Sequence, residues 1–526
     1  MNVRTPIFVG ILNTVLLSSM SSSPLEGAEP LPVTATAAAE VALRAVSPVT
    51  SDHTSDHTPD DTSDHTPDDA EALARAQVER GYQLLINGGY IGCGIPLDAI
   101  KRTQASTPPV PSKLLSILFP LAGEQVFKEN DLPGRNADNI GISPTFNVFE
   151  SPRGLKVVNS NCLSCHGEYL DGKFIVGLGN RTRDYTQDVS NVARRFPQMA
   201  KTELEREELN ILSRATVSIA PYMQTKTIGV NPAVNMTYAL FSFRRAEDYA
   251  WSDTLTMEPP GKEFPPSDVP PWWHLKEKGL MFYNGEFGFH HHRVMTLASI
   301  LCIKGADEMR ERDEPFRDLE QYVLSLESPS YPLPIDAGLA ERGRDVYEET
   351  CARCHGELNE AGKPEYEAKI IEIDKIKTDP ALMEQQSGPE HERFRAFGEE
   401  TFVRLYGEGL KVSLNRGYIV PPLSGVWATA PYLHNASVPT LEAVINSKIR
   451  PKYWQKLGIY EQNDYDLVHM GVRHRVRSTG QELAGPFTKR FIYDTTLPGY
   501  GNGGHTFGDD LSDTQRQALL EFLKTL

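Results

Sequence analysis

The sequence predicts a mainly α fold of two helical modules with little strand, the first module enlarged by loop-rich insertions. Three observations predict it. The pentapeptide Cys162-Leu163-Ser164-Cys165-His166 is echoed at Cys351-Ala352-Arg353-Cys354-His355. Amphipathic helical stretches stand at the module ends: Pro315–Glu327 puts Phe316, Leu319, Tyr322, Val323 and Leu326 on one face, and Ser512–Leu526 carries Leu519, Leu520 and Leu523. Between the two pentapeptides, Pro329–Pro334 reads as a linker.

C-x-x-C-H has a chemical reason. Two thiols one helical turn apart add across the two vinyl groups of one porphyrin, and the adjoining histidine offers its imidazole to the iron. Cys162, Cys165, Cys351 and Cys354 are therefore predicted to hold two covalent haem c groups, with His166 and His355 as proximal iron ligands. A zinc knuckle needs four clustered ligands, and a redox dithiol does not need the same trailing histidine twice. The modules are then two cytochrome c-like haem domains, 77–330 and 331–526.

Taken in order, residues 1–28 read as a secretory signal: Arg4, then an apolar run from Ile7 to Leu17, too short to span a bilayer. No cysteine follows to take a lipid. Periplasmic or secreted localisation is expected, with no transmembrane segment. Residues 29–76 read as a disordered acidic tether, because Ser51–Glu71 carries eight acids and no Lys or Arg. The net charge of −17 over 526 residues argues against nucleic-acid partners. Helices are expected over Ala72–Leu85, Arg153–Ser164 (delivering the first pentapeptide), Leu204–Leu212, Pro232–Phe243 and Val294–Ile303. The second module should open with a helix over 338–347. Cys93 and Cys302 remain once the pentapeptides are counted; in an exported protein they are predicted to form a disulfide, with two buried free thiols as the alternative.

The sixth position of each iron separates electron transfer from chemistry. In the second module the candidates are His434, His469, Met470, His474 and His505. His505 is preferred because Gly499, Gly501, Gly503 and Gly504 precede it, suggesting a backbone held close to something flat and large. His434 is read mainly as a cofactor contact. The first module has no comparably placed ligand. Phe287 and Phe289 are candidates to roof an open haem face, Trp273 and less so Trp272 to sit between the haems, and Glu286 to act as an acid/base near the distal face. The run His290–His292 is expected to be exposed.

With Leu423-Ser424-Gly425-Val426-Trp427-Ala428-Thr429-Ala430-Pro431-Tyr432-Leu433-His434-Asn435, the paired pentapeptides resemble the dihaem cytochrome c peroxidase superfamily, which includes the tryptophan-maturation enzymes. Gly89–Pro96, Pro271-Trp272-Trp273 and Leu497–His505 bring the likeness closer to the RoxA-type rubber oxygenases, over roughly 77–526. The resemblance implies that the haem on Cys162 and Cys165 binds O₂, while the haem on Cys351 and Cys354 is held by His355 and His505. It implies Trp273 as inter-haem tryptophan, Phe287 or Phe289 as distal phenylalanine, and dioxygenative cleavage of C=C bonds in an apolar alkene such as polyisoprene. The chain departs from that family in looking shorter and in carrying Glu286 and three histidines in the distal segment, which keeps open a peroxidase using H₂O₂ and a redox partner protein. A carrier without substrate is a further alternative. A Ca²⁺ ion is also a candidate cofactor.

Overall fold

Two helix crossings frame the molecule, and each is made by a glycine. The computed structural model describes residues 67–106, 132–459 and 463–526. The expected signal segment and most of the expected tether lie outside these. Helix α1 (Pro67–Asn87) begins nine residues before the expected end of the tether. Alanines at 70, 72, 74 and 76 favour helix, and Leu85 and Ile86 at its far end are fully buried, anchoring it to the core.

A three-stranded antiparallel sheet follows, with β1 (Ile95–Pro96) and β2 (Phe146–Glu150) flanking β3 (Lys156–Ser160). Here the structure corrects the helix expected over Arg153–Ser164. Ser151-Pro-Arg-Gly154 closes a hairpin: Gly154 takes φ +78, and its N–H donates to the Ser151 carbonyl at 2.8 Å. Val157 and Val158 suit a pleated strand. The helix that carries the first pentapeptide is only α2 (Leu163–His166), followed by the hairpin of β4 (Gly167–Leu170) and β5 (Lys173–Val176).

Helix α3 (Glu203–Ile219) is capped by the Thr202 side chain, which accepts from the Glu205 N–H, and it runs seven residues past its expected end. Helix α4 (Ala233–Phe241) lies within its expected bounds. The expected helix at Val294–Ile303 is instead α5 (His291–Thr296) with a 3₁₀ turn after it. Helix α6 (Asp313–Ser325) buries Phe316, Leu319 and Val323, as the periodicity predicts.

In the second half, α7 (Ala337–Thr350) leads into α8 (Ala352–His355). Beyond two short helical turns lies α9 (Pro389–Tyr406), then a sheet in which β6 (Tyr453–Lys456) lies between β7 (His474–Val476) and β8 (Ile492–Asp494), and finally α10 (Asp513–Leu523). A Cβ at Gly81 of α1 would fall 2.0 Å from the Asp318 carbonyl oxygen of α6; one at Gly343 of α7 would fall 1.9 Å from that of Ala518 in α10. Both backbones therefore touch, a closeness only glycine permits.

The two halves share their cores. Trp273, Leu170 and Val230 pack with Tyr347, Trp427, Trp454 and Phe522. Phe394, Phe397 and Phe402 of α9 pack with Leu240, Phe241 and Ile300 from the first half. A buried ion pair, Arg181 to Asp464 at 2.8 Å, also joins them. By their contacts, all described residues fall within one unit, 59–526. Cys93 and Cys302 form a disulfide that ties the turn before β1 to the segment after α5.

Candidate haem sites

The two pentapeptides make the same turn. The N–H of Cys165 and of His166 reach the Cys162 carbonyl at 3.1 and 2.9 Å; those of Cys354 and His355 reach the Cys351 carbonyl at 3.1 and 3.0 Å. All four thiols are free and half-buried. Desolvation pushes the His166 and His355 imidazoles down to about 4, so both are neutral near pH 7 with a lone pair to give.

What faces each histidine differs. The ring centres of His355 and His505 lie 6.4 Å apart. Two imidazole–metal bonds of roughly 2 Å each, plus about 1 Å from each nitrogen to its ring centre, require roughly 6 Å. An iron fits between them. The Nδ1–H of His355 donates to the Pro421 carbonyl at 3.1 Å, leaving Nε2 for metal. His505 is held by a clamp that sequence reasoning missed: the Arg450 guanidinium donates to the carbonyls of Asn502, Gly504 and His505 at 2.7, 2.6 and 3.0 Å. The glycines before His505 approach protein rather than a flat group. A Cβ at Gly504 would lie 2.2 Å from the Lys377 carbonyl carbon, and one at Gly501 would lie 2.7 Å from Asp379 Oδ2.

His434 is buried and stacked on Tyr418 at 4.0 Å between ring centres, and burial pushes it down to about 3. His469 is exposed and paired with Asp466, His474 is half-buried, and Met470 is buried.

Cys162, Cys165 and His166 instead line a cavity of about 1390 Å³. Phe146, Leu212, Met223, Leu240, Phe241 and Leu410 give it largely apolar walls. Typical small-molecule sites occupy roughly 300–1,000 Å³, so a porphyrin leaves space for a second molecule. Lys278 also lines it. This lysine is buried, has no salt-bridge partner among the described residues, and is pushed down to about 8 by desolvation. A cation so placed matches the propionates a haem carries. No periodic signal marked it.

The tryptophans divide their roles. Trp272 stacks on His166 at 4.7 Å, while Trp273 is fully buried and donates its Nε1–H to the Ser424 carbonyl at 2.9 Å. His274 donates to the same oxygen at 2.8 Å. Glu286 and Phe287 both line the cavity. Phe289 does not: it is 62% exposed, with Lys411 over its ring at 5.1 Å, so the reading of Phe289 as a roof is corrected. The chain bends at residue 289 and takes a left-handed φ of +54 at His290, so Phe289 does not share the face of Phe287. The histidine run is corrected too. His291 and His292 are buried against Glu320 of α6 at 3.1 and 3.0 Å, because α5 packs on α6 there. Among the described residues no group of three or more His, Cys, Asp or Glu gathers as a further metal site, and no helix is long and apolar enough to cross a membrane.

This chemistry is that of a haem c cytochrome. Residues 417–455 match the family described as RoxA-like, cytochrome c-like. Over 270 residues the chain is 29% identical to the uncharacterized protein y4iJ of Sinorhizobium fredii, covering 39% of this chain and 42% of that protein. Over 260 residues it is 26% identical to the uncharacterized protein y4iM of the same organism, covering 46% and 58%. The chain thus spans about half the length of the curated relatives it matches. It carries a RoxA-like cytochrome domain, which implies haem c.

Proposed function

We propose that this protein is an exported dihaem c-type cytochrome that cleaves C=C bonds of an apolar alkene, such as polyisoprene, with O₂ at the haem on Cys162 and Cys165. The cavity carries the reading: one pentapeptide opens on about 1390 Å³ of mainly apolar space, while the other faces a second histidine. When bound there, the haem supplies O₂ activation.

The chain's own residues do the rest. His166, backed by the stacked Trp272, gives the proximal imidazole. Phe287 and the aliphatic wall exclude water and seat the alkene. Both oxygen atoms pass into the two carbonyl products, so no external reductant is consumed. His355 and His505 would hold the second haem's iron between them. Trp272 and Trp273 link His166 to the Ser424 carbonyl, three residues beyond the Pro421 that holds His355, as an electron path between the haems. Export agrees with the Cys93–Cys302 disulfide.

A peroxidase is the second reading, favoured by Glu286: a buried carboxyl on the cavity suits proton transfer between peroxide oxygens. Oxygen uptake and product analysis with polyisoprene, beside H₂O₂ turnover with a reduced cytochrome donor, separate the two. Uptake with carbonyl-ended fragments is expected; donor-dependent H₂O₂ turnover without uptake overturns the oxygenase. Low-spin spectra from both haems with no CO binding overturn both enzymes in favour of a carrier.

A further inference from the structure

Helix α9, from the second half of the chain, brings a histidine to the first half's cavity. His391 is 3% exposed, as is Glu286. Its Nε2 lies 2.7 Å from Glu286 Oε1, and its Nδ1 is hydrogen-bonded to the Tyr238 hydroxyl of α4. A carboxylate only accepts and a phenol donates, so the neutral imidazole carries its proton on Nε2. Tyr238 lies flat on Phe394 at 4.4 Å between ring centres, which fixes its hydroxyl. All three side chains line the cavity that holds Cys162, Cys165 and His166. The charged neighbours are Arg395, which feels Glu286 and also lines the cavity, Glu392 beside His391, and Glu390 near Tyr238.

Three buried polar groups on a largely apolar wall carry a desolvation cost that phenylalanine or leucine would avoid. The chain of bonds has a direction. It starts at Tyr238, supplied by α4, passes through α9, and ends at a carboxylate beside Phe287. We propose that Tyr238 and His391 are positioning residues of a proton relay whose working end, Glu286, takes a proton from, or returns it to, a ligand entering the first haem site. This rests on the reading of that cavity as the open haem site. The Nε2–H of His391 donates to one Glu286 oxygen and holds the carboxyl in place. The Tyr238 hydroxyl holds the imidazole in the tautomer that can do so.

Cyanide binding to the ferric holoprotein tests this whichever oxidant the protein uses. Near neutral pH the ligand arrives as HCN and binds as the anion, so the H–C bond breaks, its electron pair goes to the metal bond, and the proton passes to Glu286. Reprotonation through Glu286 carries the reverse step. A relay therefore speeds binding and release alike and leaves the dissociation constant alone. Stopped-flow measurement should show both rates falling about 100-fold in Glu286→Gln, about tenfold in His391→Phe and about threefold in Tyr238→Phe, within the range of proton-transfer contributions. His391→Gln, which keeps a donor for the carboxylate, should recover part of the loss. Dissociation constants should stay within about twofold of wild type. Unchanged rates in the three variants overturn the relay alone. A changed dissociation constant with no common fall in the two rates gives the triad a structural role and also overturns it. If wild-type protein binds no cyanide at the first haem, the open site falls, and the relay with it.

Discussion

The two C-x-x-C-H turns are nearly superimposable in their hydrogen bonds, yet one faces a histidine and the other a cavity. The difference is made largely by chain that is distant in sequence. His505 comes from a loop 150 residues beyond His355 and is fixed by Arg450. The cavity is walled by α3, α4, α5 and, from the other half, α9. The pentapeptide thus fixes a local turn, while remote segments decide what that turn faces.

The sharpest way to break this contrast is His505→Ala. It should convert the second haem from six-coordinate to open, seen as loss of its low-spin absorption and a second equivalent of CO bound. Unchanged spectra would remove His505 from the iron. Next in size, replacing Cys93 and Cys302 together by serine should cost about 2–5 kcal/mol. The bridge lies wholly in the first half, so urea unfolding followed at the first haem should shift further than at the second. Equal shifts would mean the halves unfold as one. Third, Gly81→Ala and Gly343→Ala should each cost about 1–3 kcal/mol by forcing a helix pair apart, with the same dependence on the local haem. A stable variant in either would show that crossing to be looser than its glycine contact implies. Fourth, Phe287→Leu should change CO affinity at the first haem by about tenfold, an effect of ~1.4 kcal/mol. Phe289→Leu should leave it alone, and equal effects would contradict the outward placement of Phe289.

A further effect concerns pH. The Asp268 carboxyl faces the cavity and accepts from Tyr283 at 2.8 Å; desolvation holds it up at about 7, from an ordinary 3.8. Between those values the folded protein keeps a proton that the unfolded chain has shed. Its contribution therefore weakens the fold as pH rises through the window, and levels off above it. The difference in urea midpoint between wild type and Asp268→Asn should widen from about pH 5 to about pH 7. A constant difference would show Asp268 to be ionised throughout.

The two pentapeptide turns were legible because they are local: two cysteines and a histidine on one turn need no tertiary context. The helices α6, α7 and α10 were legible for the same reason, each repeating its buried face within a few residues. The β2–β3 hairpin was misread because Ser151-Pro152 marks a hairpin turn as readily as a helix start. His391, Tyr238, Lys278 and Arg450 stayed hidden since each belongs to a site built by another segment. Phe287 and Phe289 shared one description in the sequence, and only the packing of α5 on α6 and of Val412 beside Phe287 separates them.

Because α9 walls the first cavity while its sequence lies beyond the Pro329–Pro334 linker, the two pentapeptides are not interchangeable cassettes. A crossover at that linker between two related genes would give each descendant a first site assembled from both parents. Such hybrids would retain both pentapeptide turns, yet the cavity would be inherited in halves, so the unit that recombination must keep intact is longer than either half.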